Sequence, residues 1–377
     1  MTNSLSESML SIIKKLCVTP RFVGSAGSIL ARKLIISELE RLGYKYSLSS
    51  TYVPNWNING FPELQFLKPE KLEVRGIPAI FSPPTPPEGV EGKVIPAGYI
   101  TMLDSFNWER YAVIDESGEV VAYLISTTYG AQVQPLPFEE QDLPYVILDS
   151  KLLEKLHNWS KSGEIWVKVK NPTKLSGSVE VISIVTEEPT VESYPLICAH
   201  YDTVFDSPGA HDNASGVAVA LKLAEELKNI PCRFAFFDGE EVNKAGSQAF
   251  VENEKAKGDL NKISFVLEID AVGIGNEVGL LCSKRLFKKL QKCFKGTPEG
   301  YKVSISRQSK IGFSDVWPFM KEGILVIRML TRGGISRDIM HTEKDTLDKI
   351  SVETLTDAFN VARRILEVLQ WDIGESK

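Results

Sequence analysis

Cysteine is scarce in this chain of 377 residues: there are five, Cys17, Cys198, Cys232, Cys282 and Cys293. They are odd in number and form no close-spaced cluster, which argues against a disulfide framework. Cys198 and Cys232 lie inside apolar, strand-like runs and read as inert buried thiols. No stretch approaches the roughly 18 apolar residues of a membrane-spanning helix. The opening MTNSLSESMLSIIKKLCVTP has no basic segment followed by a long apolar one. A cytoplasmic location with no membrane partner is therefore expected, and the glycosylation pattern at Asn158-Trp159-Ser160 is read as incidental. Positive charge is not in excess either. Lys and Arg number 43 against 49 Asp and Glu, a net charge of −6, so no basic footprint for nucleic acid is present. Histidine is scarcer still, with four: His157, His200, His211 and His341.

The apolar content of 43% and charged content of 24% are those of a globular protein. The length favours two domains, or one domain with a large insertion. Residues 1–64 read as helix followed by strand: ILARKLIISELERL has apolar residues at helical spacing, and RLGYKYSLSSTYV leaves the helix at Gly43 for an alternating run. Residues 65–175 change character. Short β-type runs (KLEVRGIPAIF, RYAVID, VVAYLIST, PYVILD, EIWVKVK) are separated by turn-rich pieces such as SPPTPPEG. This stretch holds only His157 among the histidines and no tight carboxylate cluster, and it reads as an inserted β-rich domain without chemistry of its own. Residues 176–377 alternate strand and helix, with strand candidates at PLICA, CRFAFFD, ISFVLEID and ILVIRML and a long closing helix. Near-continuous apolar strands alternating with helices imply an α/β domain: a mostly parallel mixed sheet with helices on both faces.

Ligands of such sheets gather at the carboxyl ends of the strands, and the residues found there are of one kind. His200 follows the first strand, Glu240 and Glu241 the second, Asp270 ends the third, and His341 lies in the loop after the fourth. Asp212 sits where the first crossover loop meets its helix. Any one of these has an ordinary structural explanation; four strand ends delivering imidazoles and carboxylates to one rim point to a metal site. The donors suit zinc, with cobalt and manganese also compatible. Five donors exceed what one tetrahedral zinc needs, which suggests two ions about 3.5–4 Å apart sharing a carboxylate, with Asp212 the natural bridge. Asp202 is placed to accept the other ring N–H of His200 and fix its tautomer. Of the adjacent glutamates, one can ligate while the other faces substrate as general base.

These pieces resemble the co-catalytic zinc aminopeptidase family of the aminopeptidase Y type, whose relatives include glutamate carboxypeptidase and glutaminyl cyclase. The matching segments are HYD, PGAHDNASG, FFDGEEVNKAGS, LEIDAVG, GFSDVWPF and HTEKDT, in order between residues 200 and 346. RFVGSAG and LGYKY are similar to the family's opening, and the β-rich insertion resembles a protease-associated domain. The interval from His200 to Asp212 is short and the insertion precedes both, a placement that favours this family over related metallopeptidases. The resemblance implies one zinc on His200, Asp212 and Asp270, a second on Asp212, Glu241 and His341, and Glu240 as the base.

Peptide substrates are implied, trimmed from the amino end. Arg328, Arg332 and Arg337 near the last histidine keep carboxypeptidase or dipeptidase action open. A non-catalytic binding role and glutaminyl cyclase chemistry are disfavoured by the complete donor set. His211, Ser314, Asp315 and Arg337 are expected beside substrate, His211 either lining the cleft or standing as a rim residue. Two departures from the family stand out. Asn243 and Lys244 replace a common Gly and a hydrophobe, and Met340 replaces a Tyr that in some members polarises the scissile carbonyl. Methionine cannot donate that hydrogen bond, so Tyr201, an arginine or the metals alone must serve. A homo-oligomer is compatible with the sequence.

Overall fold

The computed structural model describes residues 2–102, 106–126, 132–133, 142–228, 230–295, 302–307 and 314–374. Two compact units emerge, one of residues 1–52 and 180–377 and one of residues 53–179. The second is wider at both ends than the 65–175 stretch set apart by composition.

The first unit holds an eight-stranded sheet, to which the first two strands contribute by residues 46–52 and 180–186, in the order Tyr46–Ile58, Thr173–Thr186, Arg233–Phe237, Tyr194–His200, Ile263–Ile269, Val326–Arg332, Glu277–Cys282 and Val303–Arg307. The four middle strands run parallel, with Cys198 opposite Ala235 on one side and Glu268 on the other, and Glu268 opposite Arg328. Antiparallel pairs flank them, Ile184 opposite Phe236 and Leu280 opposite Met329. Every residue of YPLICAH and RFAFF is buried. Strands this apolar must be covered on both faces, and alternate residues serve the two faces. Ile197, Ala199, Phe234, Phe236 and Leu267 pack in one cluster with Ile13, Ile35, Leu221 and Phe359, which come from helices Thr2–Leu16, Ala26–Arg41, Ser215–Glu226 and Val352–Gly374. Leu196, Cys198, Ala235, Phe237 and Val266 pack in another with Phe250 and Phe319, from helices Ala245–Lys257 and Val316–Lys321. The mostly parallel mixed sheet with helices on both faces is thus the observed fold class. Strands Glu277–Cys282 and Val303–Arg307 escaped the sequence reading; the second is half-exposed along its length and has no continuous apolar run to mark it.

The second unit is an eight-stranded sheet in the order Leu72–Arg75, Glu63–Lys68, Ile165–Lys170, Val90–Met102, Phe106–Ile114, Val120–Ser126, Tyr145–Leu148 and Ile77–Pro78. Its core joins Leu64, Phe66, Val113, Leu124, Val146 and Val167 to Leu156 and Trp159 of helix Ser150–Ser162. That helix starts at Asp149, whose carboxylate accepts the Leu152 N–H at 2.6 Å, a standard cap for an orphan N-terminal donor. His157 lies on it, with Nε2 2.8 Å from Glu109 Oε2. Among the described residues no helix is long and apolar enough to cross a membrane.

Candidate metal centre

The candidate donors gather at the carboxyl edge of the four middle strands. His200 is the last residue of its strand, Asp270 directly follows Ile269, Glu240 and Glu241 stand three and four positions past Phe237, and His341 lies beyond Arg332. Asp212 joins the two halves: Oδ1 is 3.1 Å from His200 Nε2 and Oδ2 is 3.3 Å from His341 Nε2. His200 Nε2 also lies 3.5 Å from Asp270 Oδ1, and His341 Nε2 lies 3.1 Å from Glu241 Oε2. One donor atom from each of His200, Asp212 and Glu241 lies within 4.8 Å of the others. His200, Asp212, Glu241 and Asp270 are buried, while Glu240 and His341 are partly exposed at the rim. The chain thus brings together all five candidate donors, with the candidate base adjoining Glu241 in sequence.

Much of this geometry is held by residues that carry no donor role. Asp202 is the best placed: Oδ1 and Oδ2 accept the N–H groups of Glu240 and Glu241, each at 3.1 Å, so one buried carboxylate clamps the turn that presents both glutamates. Its expected bond to His200 Nδ1 is long, 3.5 Å. Asp345, within HTEKDT but given no role from sequence, accepts the N–H of His211 at 2.7 Å and of Asp212 at 3.0 Å, tying the His341 loop to the Asp212 turn. Asn213 does the same toward Asp270: Nδ2 donates to the Ile269 carbonyl at 2.9 Å and Oδ1 accepts the Ala271 N–H at 3.1 Å. Arg21, fully buried, donates to the carbonyls of Tyr201, Pro208 and Gly209 at 2.7, 2.6 and 2.9 Å, bracing the loop between His200 and Asp212. Gly209 has φ +60°, and a β-carbon there would collide with the Asp212 carbonyl and the Arg21 guanidinium. Asn243 and Lys244 have φ of 64° and 59°. These are left-handed conformations that glycine adopts freely and asparagine tolerates, which accounts for the glycine common at this turn in the family.

The electrostatics are those of a site short of positive charge. Burial would depress the His200 imidazole, yet the carboxylates of Asp202, Asp212 and Asp270 hold it well above its ordinary range. Glu241 and Asp212 do the same to His341. Burial raises Asp212, but the two imidazoles outweigh it and hold this carboxyl well below its usual value. Desolvation pushes Glu240 well up. Asp315 is pushed up to about 7 and Glu268 to about 8, burial being the main cause in each. Among the described residues, no lysine or arginine pairs with Asp212 or Glu241; the Arg328 guanidinium is bonded to Asp270. Buried carboxylates facing imidazole nitrogens, with cationic side chains supplied to only one of them, form a donor set that fits divalent cations.

Several residues expected beside substrate stand elsewhere. His211 is fully buried: Nδ1 accepts the Gly273 N–H at 3.1 Å, which leaves the proton on Nε2, 2.9 Å from Ser336 Oγ. It is a strut between loops, not part of a cleft, because a residue next to Asp212 on this turn points into the fold. Burial lowers its pKa to about 4. Ser314 is buried and donates to Glu268 Oε2 at 2.6 Å, and Asp315 is wholly enclosed. Gly312 and Phe313 of the same motif lie outside the described residues. Tyr201 cannot stand in for the tyrosine missing at Met340, since its hydroxyl is buried and donates to the Ile182 carbonyl at 2.6 Å. Arg337 alone of the four is exposed, on the short helix Ser336–Ile339 before His341.

The chain is similar to known peptidases. The model of peptidase family M28 matches residues 181–366. The aminopeptidase YwaD of Bacillus subtilis is 29% identical over 184 residues, 43% of this chain and 38% of that protein. The chain therefore spans well under half the length of this curated relative. Among solved structures, a peptidase M28 precursor from Shewanella amazonensis superposes with a TM-score of 0.76 at 18% identity, over 97% of this chain and 95% of that one. A zinc aminopeptidase from Bacillus subtilis gives 0.73 at 22% identity, over 96% and 95%. Both share the fold. Residues 181–366, which carry every candidate donor, match the model of peptidase family M28, in keeping with the resemblance that the motifs carry.

Proposed function

We propose that the protein is a zinc-dependent aminopeptidase that removes N-terminal residues from peptides, with two ions held by the five clustered donors. The observation that carries this reading is Asp212, whose two carboxylate oxygens face different imidazoles, His200 and His341. A carboxylate so placed suits the shared ligand of a pair of ions. One ion would be held by His200, Asp212 and Asp270 and the other by Asp212, Glu241 and His341. When bound, the pair would supply Lewis acidity to a water and to the scissile carbonyl.

The chain's own residues do the rest. Glu240, at the rim beside Glu241, accepts a proton from the attacking water and returns it to the departing amine. Its carboxyl, raised by desolvation in the metal-free protein, is suited to hold that proton between the two steps. Asp202 keeps both glutamates aimed by clamping their N–H groups. Tyr201 being committed to Ile182, no tyrosine supplies the carbonyl hydrogen bond from that position. Of the arginines that kept a carboxypeptidase open, Arg328 is taken up by Asp270, which favours recognition of the amino end.

The test is mass-spectrometric digestion of one mixed peptide beside its N-acetylated and C-amidated forms, by zinc-loaded and chelator-treated protein. Stepwise trimming from the amino end, stopped by acetylation and by chelation, is expected. Trimming from the carboxyl end, stopped by amidation, would replace the aminopeptidase reading and direct attention to Arg337. No metal-dependent cleavage would overturn the catalytic reading.

A further inference from the structure

We propose that Arg328 is a positioning residue: it pins one oxygen of Asp270, leaves the other to the His200 half of the centre, and so sets how firmly an ion is held there. This rests on the two-ion reading above.

Strand Val326–Arg332 lies parallel to Ile263–Ile269 with Arg328 opposite Glu268. From there the guanidinium reaches past the end of the neighbouring strand. Its Nε and Nη2 both donate to Asp270 Oδ2, at 3.1 and 2.5 Å. The same Nε is 3.5 Å from Glu268 Oε2, which in turn accepts from Ser314 Oγ at 2.6 Å. Asp270 Oδ1 is left facing His200 Nε2 at 3.5 Å. An aspartate can exchange its two oxygens by rotating its outer torsion, which is broad; two donors on one oxygen stop that rotation. Among the described residues neither Asp212 nor Glu241 has such a partner, their ion pairs being with imidazoles.

Two effects compete. A cation beside a ligand carboxylate draws on its charge, which weakens it as a donor. Without the cation, however, Glu268 and Asp270, both buried, would repel each other uncompensated, and the Asp270 carboxylate would be free to turn from its position facing His200. The second effect is the larger in a buried site, so removal of Arg328 weakens the ion. Outer partners of metal ligands are worth about 10- to 100-fold in affinity. The planar, permanently charged fork matters here, and lysine, a point charge, replaces it only in part.

The experiment is zinc titration against a competing chelator for wild type, Arg328→Met, Arg328→Lys, Arg328→Met with Glu268→Gln, and Arg328→Met with Asp270→Asn, with thermal melts of the zinc-free proteins. Wild type should take two equivalents. Arg328→Met should keep one and hold the other about 10- to 100-fold more weakly, Arg328→Lys should recover part of the loss, and the Arg328 change should cost nothing further once Asp270 is Asn. The Glu268→Gln pairing removes the stranded charge and leaves the lost pinning of Asp270 Oδ2 as the remaining cause, so it should weaken the same ion by less than Arg328→Met does, and it stands in for that variant if the single change fails to fold. Two tight equivalents in that pairing or in the single variant would overturn the proposal and leave the two-ion reading standing. Loss of both equivalents there would also overturn it, since Arg328 would then not act through Asp270. A wild type that binds fewer than two ions would overturn the two-ion reading itself, before any variant is compared.

Discussion

The two units bury different kinds of polar group. Among the described residues of 53–179 the buried polar side chains are Ser82, Thr85, Ser126, Gln132, Asn171 and Thr173, all uncharged. Several of them bond to one another locally: Asn171 Nδ2 donates to Ser82 Oγ at 3.0 Å and to the Pro83 carbonyl at 2.8 Å. The other unit buries Asp202, Asp212, Asp238, Glu241, Glu254, Glu268, Asp270, Asp315 and Asp345, together with His200 and His211. A neutral amide or hydroxyl needs only a hydrogen bond to be buried cheaply, whereas a cluster of carboxylates costs several kcal/mol unless charge is supplied. Some of it comes from inside, as where Arg233 meets Glu254 at 2.7 Å. At the strand ends Arg328 supplies it to Asp270, while Asp212 and Glu241 face only imidazoles, and that deficit suits a cation.

The sharpest way to break this contrast is at the centre. Asp212→Asn is expected to drop zinc content below two equivalents and abolish peptide hydrolysis, read by metal analysis and a peptidase assay. Glu240→Gln should retain zinc yet lower kcat by about 10²- to 10⁴-fold, the usual worth of a positioned general base. Near wild-type turnover in that variant would remove Glu240 from the base role.

A smaller effect is expected behind the donors. Asp345→Asn keeps an acceptor for one of the two N–H groups and loses the charge that strengthens both bonds. It should cost about 1–3 kcal/mol of stability and weaken zinc, measured by denaturant melts with and without metal. Unchanged zinc affinity would mean that the Asp212 turn holds itself.

His211 makes the contrast pH-dependent. Its pKa in the folded chain is lowered to about 4, below the ordinary value of about 6.5 in the unfolded chain. The unfolded state therefore binds the extra proton between these values, and the stability that His211 contributes is full above 6.5 and lost as pH falls through 4. In zinc-free protein, His211→Asn should flatten the loss between pH 6.5 and 4 relative to wild type. Parallel pH curves would show that this imidazole is not held neutral. The smallest effect is expected in the other unit, where Asn171→Ala should cost about 1–3 kcal/mol by the same amount at pH 5 and pH 8, since no charge is involved; a pH-dependent cost would blur the distinction.

Much of the centre was legible because strands and donors are written locally. Apolar runs mark the four parallel strands, and the residue type just after each is visible whatever the fold does. The roles of His211, Ser314 and Asp315 were not legible. Each lies beside a donor or within a family motif, but whether a side chain opens to the cleft or turns inward depends on loops distant in the chain. His211 turns inward because Gly273 and Ser336 meet its two nitrogens, partners more than sixty residues away. Asp345 and Arg21 went unread for the same reason, since what they bond is backbone, and backbone groups carry no sequence signal.

The sequence by itself determined the fold class, the edge of the sheet where chemistry would gather, and the imidazoles and carboxylates available there, because hydrophobic periodicity and residue type are local properties. Only the tertiary structure decided that Asp212 faces both histidines, that Asp202 clamps the two glutamates, and that Arg328 belongs to Asp270. Those pairings depend on strand order and register, which bring together residues far apart in the chain.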